Sequence, residues 1–81
     1  MVYMITGLKI NVERLRREIV ADRKGAEIAR QLGINPSYLY RKLGGDVSMS
    51  LDDLNKICFL YGRDATEFVD KIRLEEIKIA A

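Results

Sequence analysis

The sequence predicts an all-α fold, five short helices in one small domain, with the option of a short extended segment at each end. Three observations predict it. Apolar residues recur at i, i+3 and i+4 in successive stretches. Those stretches open on residues suited to cap a helix: Asn11, Asn35, Ser50 and Asp64. Glycines at 33 and 62 stand where two of the stretches must stop. The chain has 81 residues, 48% of them hydrophobic and 32% charged, which suits one globular unit with a modest core.

In residues 1–10, Val2, Met4, Leu8 and Ile10 fall on even positions, interrupted by Gly7. This alternation suggests an extended segment, although Tyr3 and Ile5 lie on the other face. A first helix runs from Asn11 to about Asp22, with Val12, Leu15 and Ile19 as its apolar stripe and Val20 beside it. Lys24-Gly25 marks a break. The second helix carries Ile28 and Leu32 on one face, with Ala29 small enough for a crossing helix to approach, and Gly33 ends it. Asn35 caps the third helix and Pro36 fits its first turn, where no N–H is needed. Leu39 and Leu43 point back at the second helix, and Gly44-Gly45-Asp46 turns the chain.

Ser50 and Asp53 form an acidic variant of the capping box for the fourth helix. Its core positions are Leu51, Leu54, Ile57, Cys58 and Tyr61, and Gly62 closes it. Asp64-Ala-Thr-Glu67 repeats the start signal for a fifth helix, with Phe68, Val69 and Ile72 inward. In the tail, Ile72 with Leu74 and Ile77 with Ile79 alternate as in a strand, yet the same residues also fit a prolonged helix. The two ends can therefore pair with each other, or the apolar tail can serve as a dimer surface or hold a partner protein. The chain thus reads as a single domain over 1–81, with 1–10 and 73–81 as terminal extensions and candidate dimerisation elements.

Residues 26–43 together make a helix-turn-helix, the unit that sets its second helix in a DNA major groove. The charge distribution suits that reading. Through Gly45 there are nine basic and four acidic residues, a net of +5; from Asp46 onward there are five basic and eight acidic, a net of −3. Ser37, Tyr38, Tyr40, Arg41 and Lys42 point mostly outward from helix 36–43. Arg41 is suited to bond a guanine edge bidentately, and Ser37 to reach a base or phosphate. Tyr38 and Tyr40 offer hydroxyls to phosphate or ring faces to a thymine methyl, unless one of them packs on a neighbouring helix. Phosphate contacts are expected from Lys24, the amides of Gly25 and Gly44, Tyr40, Lys42 and Arg17, with Arg16 as the alternative to Arg17 on the first helix.

Other function classes are disfavoured. The chain has no histidine and a single cysteine, Cys58, so it can build no catalytic triad, Cys/His zinc site or internal disulfide. Cys58 reads as a small buried hydrophobe. No catalytic residue, metal or cofactor is expected, and the protein reads as no enzyme. No apolar run approaches a membrane span, and the first residues lack a basic secretory n-region, which points to the cytoplasm.

Residues from about 12 to 72 resemble the Cro/CI (XRE-type) helix-turn-helix family. The carrying pieces are Glu27-Ile-Ala-Arg-Gln-Leu-Gly33-Ile, Pro36-Ser-Tyr-Leu-Tyr-Arg-Lys-Leu43-Gly-Gly, and Ser50-Leu-Asp-Asp-Leu-Asn-Lys-Ile57 with Tyr61-Gly62 and Asp64-Ala-Thr-Glu-Phe68. The resemblance implies a five-helix, lambda-repressor-like bundle that binds a double-stranded operator, commonly as a homodimer, and represses transcription. Many small members are phage or prophage repressors; others are antitoxins, which bind a partner protein. By motif position, Ser37, Tyr38 and Arg41 match the family's base-reading places. Gly25 stands where a phosphate-binding glutamine is frequent, so the backbone amide or Lys24 must serve instead. Pro36 replaces a polar base reader. Lys42 replaces an apolar residue, which leaves it for phosphate.

Overall fold

The structure is a computed structural model and describes residues 5–73. Four α-helices and a two-stranded antiparallel sheet make up the fold, in place of the five-helix all-α bundle that the sequence predicts. The order is β1 (Thr6–Ile10), α1 (Val12–Ala21), α2 (Gly25–Leu32), α3 (Pro36–Leu43), α4 (Leu51–Tyr61), a single 3-10 turn (Ala65–Phe68) and β2 (Val69–Arg73). The expectations for Val2, Tyr3, Met4 and the tail from Leu74 onward lie outside the described residues.

The caps act where the sequence places them. The side chains of Asn11, Asn35 and Ser50 accept from the amides of Arg14, Ser37 and Asp53. Ser50 and Asp53 close a full reciprocal box. Gly33 and Gly62 end α2 and α4 in the left-handed region, at φ +72° and +77°. The break between α1 and α2 works differently from the expectation. Arg23 takes the positive φ, +55°, while Gly25 is already the first residue of α2.

The correction at the fifth helix has a clear cause. Asp64 does start a turn, accepting from the amide of Thr66, but the turn lasts four residues. Val69 to Arg73 then pair with β1, in the register Thr6↔Arg73, Leu8↔Lys71 and Ile10↔Val69. Phe68, Val69 and Ile72 fit a helical stripe and a strand end equally well when read alone. The exposed backbone of β1 decides between them, because it needs a partner for its amides and carbonyls. The amide of Asn11 donates to the Phe68 carbonyl (2.7 Å), which locks the junction.

One apolar core unites the helices: Leu15 and Ile19 from α1, Ile28 and Ala29 from α2, Leu39 and Leu43 from α3, and Leu54, Ile57 and Cys58 from α4. Phe68, fully buried, closes it from below the 3-10 turn. Two guanidiniums lie near its ring, Arg14 at 5.4 Å and Arg63 at 5.3 Å from the centroid. Both arginines are tied to Glu18, at 3.0 and 2.8 Å. Arg14 also donates to the Glu67 carbonyl at 2.8 Å, and Arg63 pairs with the Glu67 carboxylate at 3.1 Å. That hydrogen bond from Arg63 is the main cause of a Glu67 carboxyl held below its ordinary range. The turn that replaces the fifth helix is thus bolted to α1 and to Arg63, just past the end of α4, by charge as well as by Phe68. Leu51, expected in the core, is instead 57% exposed at the start of α4.

Candidate nucleic-acid interface

Helix α3 carries the side chains that the sequence assigns to an interface with DNA. Leu39 and Leu43 anchor it, one helical turn apart on its buried side. The residues that face away divide into two rows. Ser37, Tyr40, Arg41 and Gly44 fall within about 100° of arc by helical spacing and share one exposed face. Tyr38 and Lys42 form the other row and turn toward α4. There they line a crevice of about 180 Å³ with Leu32, Ile34 and Asp53.

Arg41 is exposed and has no ion pair among the described residues, so its guanidinium is available. Ser37 is exposed, but its hydroxyl donates to the Asn35 side chain (2.7 Å), which also accepts from the Ser37 amide. That hydroxyl keeps its acceptor capacity and has spent its proton. Tyr38, 39% exposed, lies beneath the Lys42 ammonium, 5.5 Å from its ring centroid, on the row that leans to α4. The sequence groups Tyr38 with Ser37 and Arg41; the fold separates them.

Lys42 is also reassigned. Its ammonium contacts the Asp53 carboxylate at 2.6 Å and is only 14% exposed. It fastens the end of α3 to the capping box of α4, so a phosphate would have to compete with Asp53 for it. The hydrogen bond from Lys42, followed by that from the Ser50 amide, holds the Asp53 carboxyl below its ordinary range. A carboxyl whose folded value is depressed contributes stability above its unfolded value, near 3.9, and loses it as pH falls through the folded value. Asp53→Asn is therefore expected to cost about 1–2 kcal/mol at neutral pH. The gap to the parent should close as the pH falls through the depressed Asp53 value. Urea unfolding of both proteins at pH 7 and pH 2.5 checks this; an unchanged gap at acid pH would assign the loss to packing.

Gly25 explains Tyr40. A Cβ at position 25 would overlap the hydroxyl end of the Tyr40 phenol, so the glycine lets the tip of that ring approach the first turn of α2. Tyr40 remains 38% exposed. Its ring joins α3 to the N-terminus of α2, the end where Lys24 provides no side-chain cap. The first-turn amides of α2 accordingly have no partner within the helix. Lys24 pairs loosely with Glu27 at 3.7 Å, both half-exposed. The sequence treats Gly25 as a lost side chain; the fold shows its space filled by Tyr40. Because the clash is with the far end of a movable ring, Gly25→Ala is expected to swing Tyr40 outward while stability stays within about 1 kcal/mol of the parent. A thermal melt together with Tyr40 fluorescence or ring NMR shifts tests this. An unmoved ring, or a loss beyond about 2 kcal/mol, would show that the ring is clamped.

The amide of Gly44 donates to the Tyr40 carbonyl at 2.8 Å, so it is committed to ending the helix. Arg17 is exposed on α1, in a shallow surface groove with Arg16 and Val20. Arg16 is better placed than Arg17: it lines the crevice between α1 and the end of α3, with Val12, Leu43 and Gly44. Its signal was in the sequence, since Arg16 lies one helical turn after Val12, which faces α3. Among the described residues no group of acidic or cysteine side chains is arranged to hold a metal, and no helix is long and apolar enough to cross a membrane.

Comparisons with protein-family models, with curated proteins and with solved structures return no match for this chain.

Proposed function

We propose that the protein is a sequence-specific DNA-binding regulator, a repressor of phage, prophage or mobile-element type that sets α3 into the major groove of a double-stranded operator. The observation that supports this most is the exposed row Ser37, Tyr40 and Arg41 on a capped helix anchored by Leu39 and Leu43. Arg41 reads a base edge, and Ser37 accepts from a base or backbone group. Tyr40, Lys24, Arg16 and the open amides at the start of α2 meet phosphates. The chain works in the cytoplasm, on nucleoid DNA, as a homodimer on a two-fold site.

A second reading is favoured by one observation. Phe59 is 85% exposed on α4, which suits a protein-interaction module such as an antitoxin. Salt separates the two readings. The test is fluorescence anisotropy with DNA from upstream of the protein's own gene and with random duplex, at two salt concentrations. Tight, competitor-resistant binding that falls steeply with salt is the expected result. Absence of binding to either duplex at low salt would overturn the DNA reading and favour the interaction module.

A further inference from the structure

The outer face of α4 carries an apolar row that the core does not use. Leu51, Asn55 and Phe59 recur every four residues along it. Leu51 is 57% exposed and Phe59 85%. Asn55 separates two hollows. On the N-terminal side is a groove of about 410 Å³, walled by Leu8 and Val69 of the sheet and by Leu51 and Leu54. On the C-terminal side Phe59 stands beside Leu32 and Leu60. The row thus holds a projecting ring and an apolar groove, set four residues to either side of one asparagine.

We propose that this face binds a second copy of the chain, with two α4 helices crossing antiparallel on a two-fold axis at Asn55. In an antiparallel pair centred on Asn55, Phe59 of one copy lies opposite Leu51 of the other. Each ring then enters the partner's groove. The geometry is self-complementary, as an isologous interface requires. The axis position fits as well. A residue on a two-fold axis meets its own copy, so a charge there would repel itself. The Asn55 amide both donates and accepts, and pairs with itself. The charged residues of the helix are paired within one copy, Asp52 with Lys56 at 2.9 Å and Asp53 with Lys42 at 2.6 Å, and lie to the side of the row.

The area sets the strength. A phenylalanine carries roughly 150–250 Å² of surface, so the two rings alone remove on the order of 300 Å² from water. Leu51, Leu8 and Leu60 add to that, and the total stays small beside the roughly 1,200 Å² at which specific interfaces begin. The dimer is therefore weak, with dissociation on the order of micromolar, and depends on Phe59.

Sedimentation of the full chain from about 1 μM to 1 mM is the test. The expected result is a monomer–dimer equilibrium. Phe59→Glu should raise its dissociation constant at least about 30-fold. Because the side chain is exposed, the thermal melt of that variant should match the parent's at concentrations below the dissociation constant, where both are monomers, which separates interface loss from misfolding. A second measurement uses Asn55→Cys with a short bis-maleimide, and Arg30→Cys on α2 as control; only the first should cross-link, Cys58 being buried. A wild-type chain that stays monomeric throughout would overturn the proposal and leave the row to another protein. A dimer that survives Phe59→Glu would overturn it too, and move the contact elsewhere. DNA binding is measured separately, so neither result depends on it.

Discussion

Phe68→Ala is expected to destabilise the protein by about 3–5 kcal/mol, the range for a fully buried aromatic whose void cannot collapse. Against a total of about 5–15 kcal/mol for a domain this small, that loss leaves a large unfolded fraction near physiological temperature. The site is poorly able to relax. Phe68 is fully buried, and the guanidiniums of Arg14 and Arg63 lie 5.4 and 5.3 Å from its ring centroid. Those guanidiniums are held by Glu18 and Glu67, so they cannot fold inward to fill the space without breaking ion pairs. The junction to β2 also hangs on this residue, through the Asn11 amide on its carbonyl. Urea unfolding monitored by circular dichroism measures the loss. A change below about 1 kcal/mol would show that the turn repacks and that the ionic clamp, rather than the ring, holds it.

Arg41→Ala is expected to weaken binding to the preferred operator by about 1–3 kcal/mol, roughly 5- to 150-fold, and to relax one base position. The fold should be untouched, since the side chain is exposed and has no ion pair among the described residues. Binding to random duplex should change little. The test is a competition titration against a panel of operators with single base-pair changes, at fixed salt. Equal losses on every sequence would make Arg41 a phosphate contact, with a salt slope lower by about one. No loss on any would remove it from the interface. Lys42→Ala offers a contrast in the same assay. Its ammonium is spent on Asp53, so its effect should appear in stability before it appears in the salt slope.

The helix-turn-helix segment was legible residue by residue. Gly33 and Gly62 close their helices in the left-handed region, and Asn35 and Ser50 cap as their positions imply. These are local devices, decided by a residue and its neighbours within one turn. Candidate contacts were less legible. Ser37, Tyr38 and Arg41 look equivalent in a list, yet 100° per residue carries Tyr38 round toward α4. Lys42 reads as a free cation because nothing nearby in sequence opposes it; its partner Asp53 is eleven residues away. Gly25 reads as a gap because the ring that fills it comes from another helix.

The sequence by itself determined the existence of four helices and most of their caps and core positions, though not the start of α2 at Gly25 or the exposure of Leu51. The caps, the glycines and the 3.6-residue period are all short-range physics. The last element was different. Val69–Arg73 carries a pattern that suits both a helix and a strand, and local energies do not separate them. Only the tertiary structure decided it, because β1 lies 59 or more residues earlier and presents an unpaired edge that a strand satisfies and a helix cannot. The same holds for Lys42 with Asp53 and for Tyr40 on Gly25. Each pairing depends on the distance between elements, which no local period encodes.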